Sequence, residues 1–122
     1  MEAMILLVDD EPVVLTVLHR ILRTIVPTYD VITAPDGATA LTLFAQRPVA
    51  LVITDQHMPN MDGVALTVAI KAVAPQCPVV LMTGSATREV RKRAEAARVD
   101  FLLLKPFGFE QLATIVRAML AQ

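Results

Sequence analysis

A single cysteine, Cys77, is all the thiol this 122-residue chain carries. One thiol excludes an internal disulfide framework and leaves no cysteine cluster for a structural zinc. Excess charge is equally scarce. Eleven Lys and Arg against twelve Asp and Glu leave a formal net charge of −1, which argues against a nucleic-acid module, normally a basic one. Long apolar runs are missing too. A membrane-spanning helix needs roughly 20 consecutive apolar residues, whereas the strongest blocks here, residues 4–8, 49–53 and 78–82, are short and bounded by polar or turn residues. Met1-Glu2-Ala3 has no basic character, and Asp9 cuts the first apolar run too early for a signal peptide. The expectation is a soluble, cytoplasmic chain with no membrane contact and no direct nucleic-acid contact. Internal repeats, low-complexity segments and linkers are absent as well.

What is present is apolar material, 55% of the chain, in an amount that excludes disorder. The length suits one domain, residues 1–122, without room for two ordinary cores. Five short apolar runs recur, at residues 5–8, 29–33, 49–54, 79–83 and 101–104. Continuous rather than alternating runs predict strands of a parallel sheet. Helical periods separate them. Val14, Leu18, Ile21, Leu22 and Ile25 share one face; Ala40, Leu41 and Phe44 a second; Leu66 and Ile70 a third; Val90, Ala94 and Ala97 a fourth; Leu112, Ile115, Val116 and Met119 a fifth. Strict strand–helix alternation with right-handed crossovers gives an α/β, doubly wound (βα)5 three-layer sandwich. Pro12 fits a first helical turn. Asp36-Gly37 and Pro59-Asn60 are turn material, and Thr87 is a predicted N-cap with Glu89 in the first turn after it.

In an open parallel sheet, ligands bind beyond the carboxyl ends of the strands. The first strand runs into Asp9-Asp10-Glu11, the third into Asp55, the fourth into Thr83-Gly84-Ser85 and the fifth into Lys105-Pro106, while the second, ending in Thr33-Ala34, offers little and is expected to be the outer strand. Singly, each residue has a plain explanation as a turn former, loop hydroxyl or solvated lysine. Jointly they do not. Two carboxylates about 4 Å apart repel by roughly 4 kcal/mol at an effective dielectric of about 20. A hard cation removes that cost, and Mg²⁺ prefers one or two carboxylates together with water and phosphate oxygen. Lys105 adds a point charge suited to phosphate.

The segment Asp55-Gln56-His57-Met58-Pro59-Asn60-Met61-Asp62-Gly63 resembles the phosphoacceptor loop of response-regulator receiver domains, written D-x-x-M-P-x-M-D-G. It follows the acidic pair of Leu7-Val8-Asp9-Asp10-Glu11-Pro12 and precedes Met82-Thr83-Gly84 and Leu104-Lys105-Pro106-Phe107. Four such motifs in this order, each at a strand end, cover essentially the whole chain. The resemblance implies a flavodoxin-like sheet of order 2-1-3-4-5, and a cis bond between Lys105 and Pro106. It implies that Asp55 accepts a phosphoryl group from a sensor histidine kinase, a phosphotransfer protein or a small phosphodonor. Mg²⁺ would be held by Asp9, Asp10, Asp55 and the main-chain carbonyl of His57. Thr83 and Lys105 would contact the phosphoryl oxygens. Such a module catalyses only its own phosphorylation and dephosphorylation, and changes partner binding, to an output domain, another protein or a second copy, through its fourth helix, fifth strand and fifth helix.

One departure stands out. The family carries an aromatic three positions before the lysine, and here that position is Leu102. Phe101 lies one residue earlier and therefore faces the other way unless a bulge intervenes. The fourth helix is basic, with Arg88, Arg91, Lys92, Arg93 and Arg98 against Glu89 and Glu95; it reads as a solvated face, with a docking or dimer surface for an acidic partner as the alternative. His19 reads as an ordinary surface residue, Cys77 as inert, and Met58 and Met61 as loop packing. His57 reads either as an idle loop residue or as an influence on phosphoryl lifetime. Two other classes fit less well. A phosphohydrolase working through an aspartyl phosphate needs a second Asp at position 57 and a cap insertion. A flavin-type binder needs a stacking aromatic and a hydroxyl-rich loop where Asp9-Asp10-Glu11 stands.

Overall fold

The computed structural model describes residues 3–121; Met1 and Glu2, part of the segment read above for leader character, lie outside these residues, as does Gln122. The chain alternates β1 (Met4–Val8), α1 (Pro12–Ile25), β2 (Asp30–Ala34), α2 (Gly37–Phe44), β3 (Val49–Asp55), α3 (Gly63–Val73), β4 (Val79–Thr83), α4 (Arg88–Ala97), β5 (Phe101–Leu104) and α5 (Phe109–Leu120). The strands form one parallel sheet in the order β2-β1-β3-β4-β5, the doubly wound flavodoxin-like arrangement expected. Boundaries differ from the sequence reading by a residue. β2 begins at Asp30 rather than Tyr29, and β3 extends to Asp55, because register with β1 and β4 rather than apolar content decides where pairing stops.

Burial explains the sequence pattern. Every residue of β1 and β4 is buried, as are the last five of β3, whereas the edge strands β2 and β5 are only partly covered. A strand enclosed on both sides reads as an uninterrupted apolar run. Alternate residues feed opposite layers. Ile5, Leu7, Leu51, Ile53, Val80, Met82 and Leu103 pack with Leu18, Leu22 and Ile25 of α1 and with Leu112 and Val116 of α5. Leu6, Val8, Val52 and Val79 pack with Ala40, Leu66 and Ile70 of α2 and α3. Leu81 joins Val64 and two alanines of α4, Ala94 and Ala97. Each buried Leu or Ile contributes roughly 1.5–3 kcal/mol. No helix of the described residues is long and apolar enough to cross a membrane.

Helix ends follow their capping chemistry. Asp36, Asp62 and Thr87 each accept a backbone N–H three residues on, at 2.7, 2.8 and 3.1 Å. Arg98 closes α4 in the left-handed region, φ 66°, with its own N–H and that of Val99 folding back onto the Glu95 and Ala94 carbonyls. A residue with a Cβ is strained there, by roughly 1–2 kcal/mol relative to glycine. Arg98→Gly is therefore expected to stabilise the protein by about 1 kcal/mol, read as a melting temperature a few degrees higher; an unchanged or lower value would show that the arginine side chain compensates for the strain.

One residue turns out differently from the sequence reading, and a second was not singled out by it. His19 is half-buried and its Nε2 lies 3.0 Å from the Val31 carbonyl, so it ties α1 to the free edge of β2; periodicity placed it beside Arg20 and Arg23 and gave no hint of that contact. Lys71, near the end of α3, is 5% exposed. Its ammonium donates to Asp100 Oδ2 at 2.8 Å and to the Cys77 carbonyl at 2.8 Å, and Asp100 Oδ2 also accepts the Val79 N–H. These bonds pin α3 and the start of β4 to the residue preceding β5, at the sheet edge opposite the acidic strand ends. Cys77 is buried, and desolvation lifts its thiol to about 11, in keeping with an inert side chain.

Candidate functional site

The parallel register brings the carboxyl ends of β1, β3, β4 and β5 to one edge. Val8 aligns with Thr54, Asp55 with Met82 and Thr83 with Leu104, so the residues that follow these strands emerge side by side. Asp9, Asp10 and Asp55 each present a carboxylate oxygen within 4.8 Å of the others. At that spacing two full charges repel by roughly 3 kcal/mol at an effective dielectric of about 20.

Asp9 bears the strain. It is 1% exposed. Its Oδ1 accepts the Glu11 N–H at 3.0 Å, while its Oδ2 is buried without a hydrogen-bond partner among the described residues and sits 3.8 Å from the Lys105 ammonium. Burial raises its pKa above the usual carboxylate value; the Glu11 N–H and Lys105 work against that rise, and the charges of Asp55 and Asp10 add to it. Lys105 donates to Asp55 Oδ1 at 2.8 Å. Its own burial opposes the charged form, yet the bond to Asp55 and the charges of Asp55, Asp9 and Glu11 outweigh it, and its pKa is raised. The Lys105–Pro106 bond is cis. An orphaned buried oxygen, three converging carboxylates and, among the described residues, one nearby ammonium make a donor set that a hard divalent cation fits.

Thr83, fully buried at the end of β4, does not point its hydroxyl at Asp55. Its Oγ1 accepts the Ser85 N–H at 3.1 Å and lies 3.3 Å from the Ser85 carbonyl and 3.4 Å from His57 Nε2. His57 is exposed, on the loop that follows Asp55.

That loop is fixed by contacts the sequence reading missed. Gln56, buried beside Asp55, accepts the Val64 N–H through Oε1 at 2.9 Å and donates through Nε2 to Asp62 Oδ2 at 3.1 Å. Arg93 of α4 pairs with the same oxygen at 2.9 Å. Burial alone would raise the Asp62 carboxyl; the Ala65 N–H, Arg93 and Gln56 together hold it below the usual range. Asn60 takes the left-handed conformation, φ 71°, which asparagine tolerates. Gly63 starts α3 against β3; a Cβ there would collide with the Asp55 carbonyl and with Leu81. Met58 is buried and Met61 packs against the same layer, as expected of loop packing.

Around the rim, β5 pairs with β4 in unbroken register. No bulge rescues Phe101, which faces the α1/α5 layer, while Leu102 faces α4. The basic helix α4 is largely solvated, apart from the Arg93–Asp62 pair and an Arg91 bond to the Ala86 carbonyl.

The response regulator receiver domain model matches residues 5–117. The chain is 37% identical over 117 residues to the transcriptional regulatory protein PrrA of Mycobacterium leprae, covering 95% of this chain and 49% of that protein. It is 35% identical over 111 residues to the sensor histidine kinase RcsC of Salmonella typhi, covering 91% of this chain and 12% of that protein; the chain thus spans half or less of these relatives. Among solved structures, the signal receiver domain of an HD domain-containing protein from Pseudomonas fluorescens Pf-5 superimposes with a TM-score of 0.90 at 33% identity, over 98% of this chain and 87% of that one.

Proposed function

The chain belongs to the response regulator receiver domain family, found in response regulators and histidine kinases of two-component systems, and from that premise we propose that it is a phosphorylation-controlled switch with Asp55 as its phosphoacceptor. The observation that carries this reading is the meeting of Asp9, Asp10 and Asp55 at one sheet edge, with Lys105 bonded to Asp55. An Asp55 carboxylate oxygen would attack the phosphorus of a phosphohistidine. A P–O bond forms as the P–N bond breaks, and the leaving imidazole takes up a proton. Asp9, Asp10, Asp55 and the His57 main-chain carbonyl would hold Mg²⁺, which when bound neutralises charge on the phosphoryl oxygens. Lys105, already seated on Asp55, would pair with the phosphoryl group, and Thr83 would rotate to donate its hydroxyl.

The partner would be a sensor histidine kinase or phosphotransfer protein. Val13, Val17, Pro106 and Phe107 help line an apolar groove beside Lys105, and a partner seated there brings its phosphohistidine toward Asp55. The whole chain, 1–122, acts on this reading as one cytoplasmic receiver domain without an external substrate. Contacts made only to the phosphorylated form shift a pre-existing equilibrium, and α4, β5 and α5 carry the change to an output domain, another protein or a second copy.

Leu102 stands where the family's aromatic switch would be. Leu102→Tyr is expected to leave the melting temperature nearly unchanged, because the residue is half-buried on an edge strand, and to alter phosphorylation-dependent partner binding. Equal binding by both proteins would mean that output runs through Thr83 and its loop alone.

The reading is tested by incubating the protein with acetyl phosphate and Mg²⁺ and measuring intact mass. Wild type should gain one phosphoryl group and lose the gain with a chelator; Asp55→Asn should gain none. Equal labelling of Asp55→Asn would overturn the assignment.

A further inference from the structure

The Thr83 hydroxyl has one proton and three neighbours. Two of these, the Ser85 N–H and carbonyl at 3.1 and 3.3 Å, belong to its own loop. The third, His57 Nε2 at 3.4 Å, belongs to the loop that leaves Asp55. The imidazole is thus the hydroxyl's link between the β4 end and the β3 end among its side-chain contacts, and it spans 26 residues of sequence. The hydroxyl proton is aimed at the Ser85 carbonyl, and which partner donates in the contact with His57 Nε2 depends on the imidazole tautomer. Donating to a phosphoryl group on Asp55 would take the proton from the Ser85 carbonyl, and turning Oγ1 toward that group would draw it away from the His57 ring.

We propose that the His57 imidazole is a positioning residue that holds the Thr83 hydroxyl in a resting orientation and so lowers the affinity of the Asp55 site for a phosphoryl group. The inference deepens the phosphoacceptor reading and rests on it. The free energy of the contact is present only in the resting state, so it opposes the phosphorylated one. A part-buried hydrogen bond of this kind corresponds to a two- to tenfold effect on affinity, as an order of magnitude. The alternative role for the same ring, direct contact with the phosphoryl oxygens, has the opposite sign, since removing the ring would then weaken binding.

The 122-residue wild type, His57→Ala, His57→Gln and Thr83→Ala separate these roles; each keeps the main-chain carbonyl of residue 57. In the unmodified protein, methyl NMR couplings of Thr83 report its χ1 population. His57→Ala should redistribute that population, and His57→Gln, which retains a terminal amide, should restore it in part. With Mg²⁺ and beryllofluoride, a phosphoryl analogue, His57→Ala should bind about two- to tenfold more tightly than wild type, and should have no such effect when combined with Thr83→Ala. An unchanged Thr83 rotamer overturns the latch while leaving the phosphoacceptor reading intact. Weaker binding by His57→Ala in both backgrounds also overturns it, because the ring would then touch the anion itself. Failure of wild type to bind beryllofluoride overturns the phosphoacceptor reading and, with it, the consequence drawn here for affinity.

Discussion

Lys71→Met is expected to cost about 3 kcal/mol, at the lower end of what breaking a buried ion pair costs, and to lower the melting temperature by roughly 10 °C or more. Methionine fills the space of the lysine stem but donates nothing. The Cys77 carbonyl then loses its ammonium donor, and Asp100 keeps only the Val79 N–H of its two donors. The figure sits at the low end because the Asp100 carboxylate is 34% exposed and water reaches part of it. Asp100→Ala should do at least as much harm, since it strands an ammonium that is 5% exposed. The two changes together should cost less than their sum, because each removes the same interaction. Denaturant melts of the two single variants and the double variant check this. A loss below about 1 kcal/mol for either single change would place the pair among exposed salt bridges of little consequence.

The second large effect concerns Asp9. Its pKa is raised in the metal-free fold, chiefly by burial. A carboxyl whose folded value lies above its unfolded one favours the folded state fully only below the unfolded value, and that advantage is lost as pH rises through the raised value. At neutral pH the ionised Asp9 therefore destabilises the metal-free protein. Asp9→Asn is expected to stabilise it by roughly 1–2 kcal/mol, the cost of the buried charge and its repulsion relieved less the attraction to Lys105. The gap between the variant and wild type should widen from acid to neutral pH. The same change should weaken Mg²⁺ binding by roughly 10–100-fold, the usual effect of removing a group that supports a metal site. Thermal melts across pH, with a chelator and with Mg²⁺, read both quantities. A variant less stable than wild type at neutral pH without metal would mean that the Lys105 attraction outweighs burial and repulsion.

Much of this site was legible in the sequence because a parallel sheet converts chain position into spatial position. Each strand announced itself as an apolar run, each run ended in a polar residue, and the strand register carried Asp9, Asp55, Thr83 and Lys105 to the same edge. The five helical faces were legible for a similar reason, since the residues at helical spacing are those that meet the sheet. What sequence could not show were polar contacts between residues far apart in the chain. Lys71 and Asp100 are 29 positions apart, and a lysine near a helix end ordinarily reads as solvated; only the packing of α3 over β4 and β5 reveals it as buried. Arg93 was one of several cations on a basic helix until Asp62 was found opposite it. His57 was visible as a loop residue, but its approach to Thr83 depends on the path of two loops that no periodicity encodes. Position 102 was read correctly in direction, because strand alternation alone fixes which layer Leu102 and Phe101 enter.

The central physical claim is that one divalent cation sits among the carboxylates of residues 9, 10 and 55. Titrating the uniformly labelled protein with Mn²⁺ and recording amide NMR spectra tests it directly. The account predicts selective broadening of the amides around residues 9–11 and 55–57, displaced by excess Mg²⁺ and strongly reduced in Asp9→Asn. Uniform weak broadening, or broadening centred elsewhere on the fold, would contradict it.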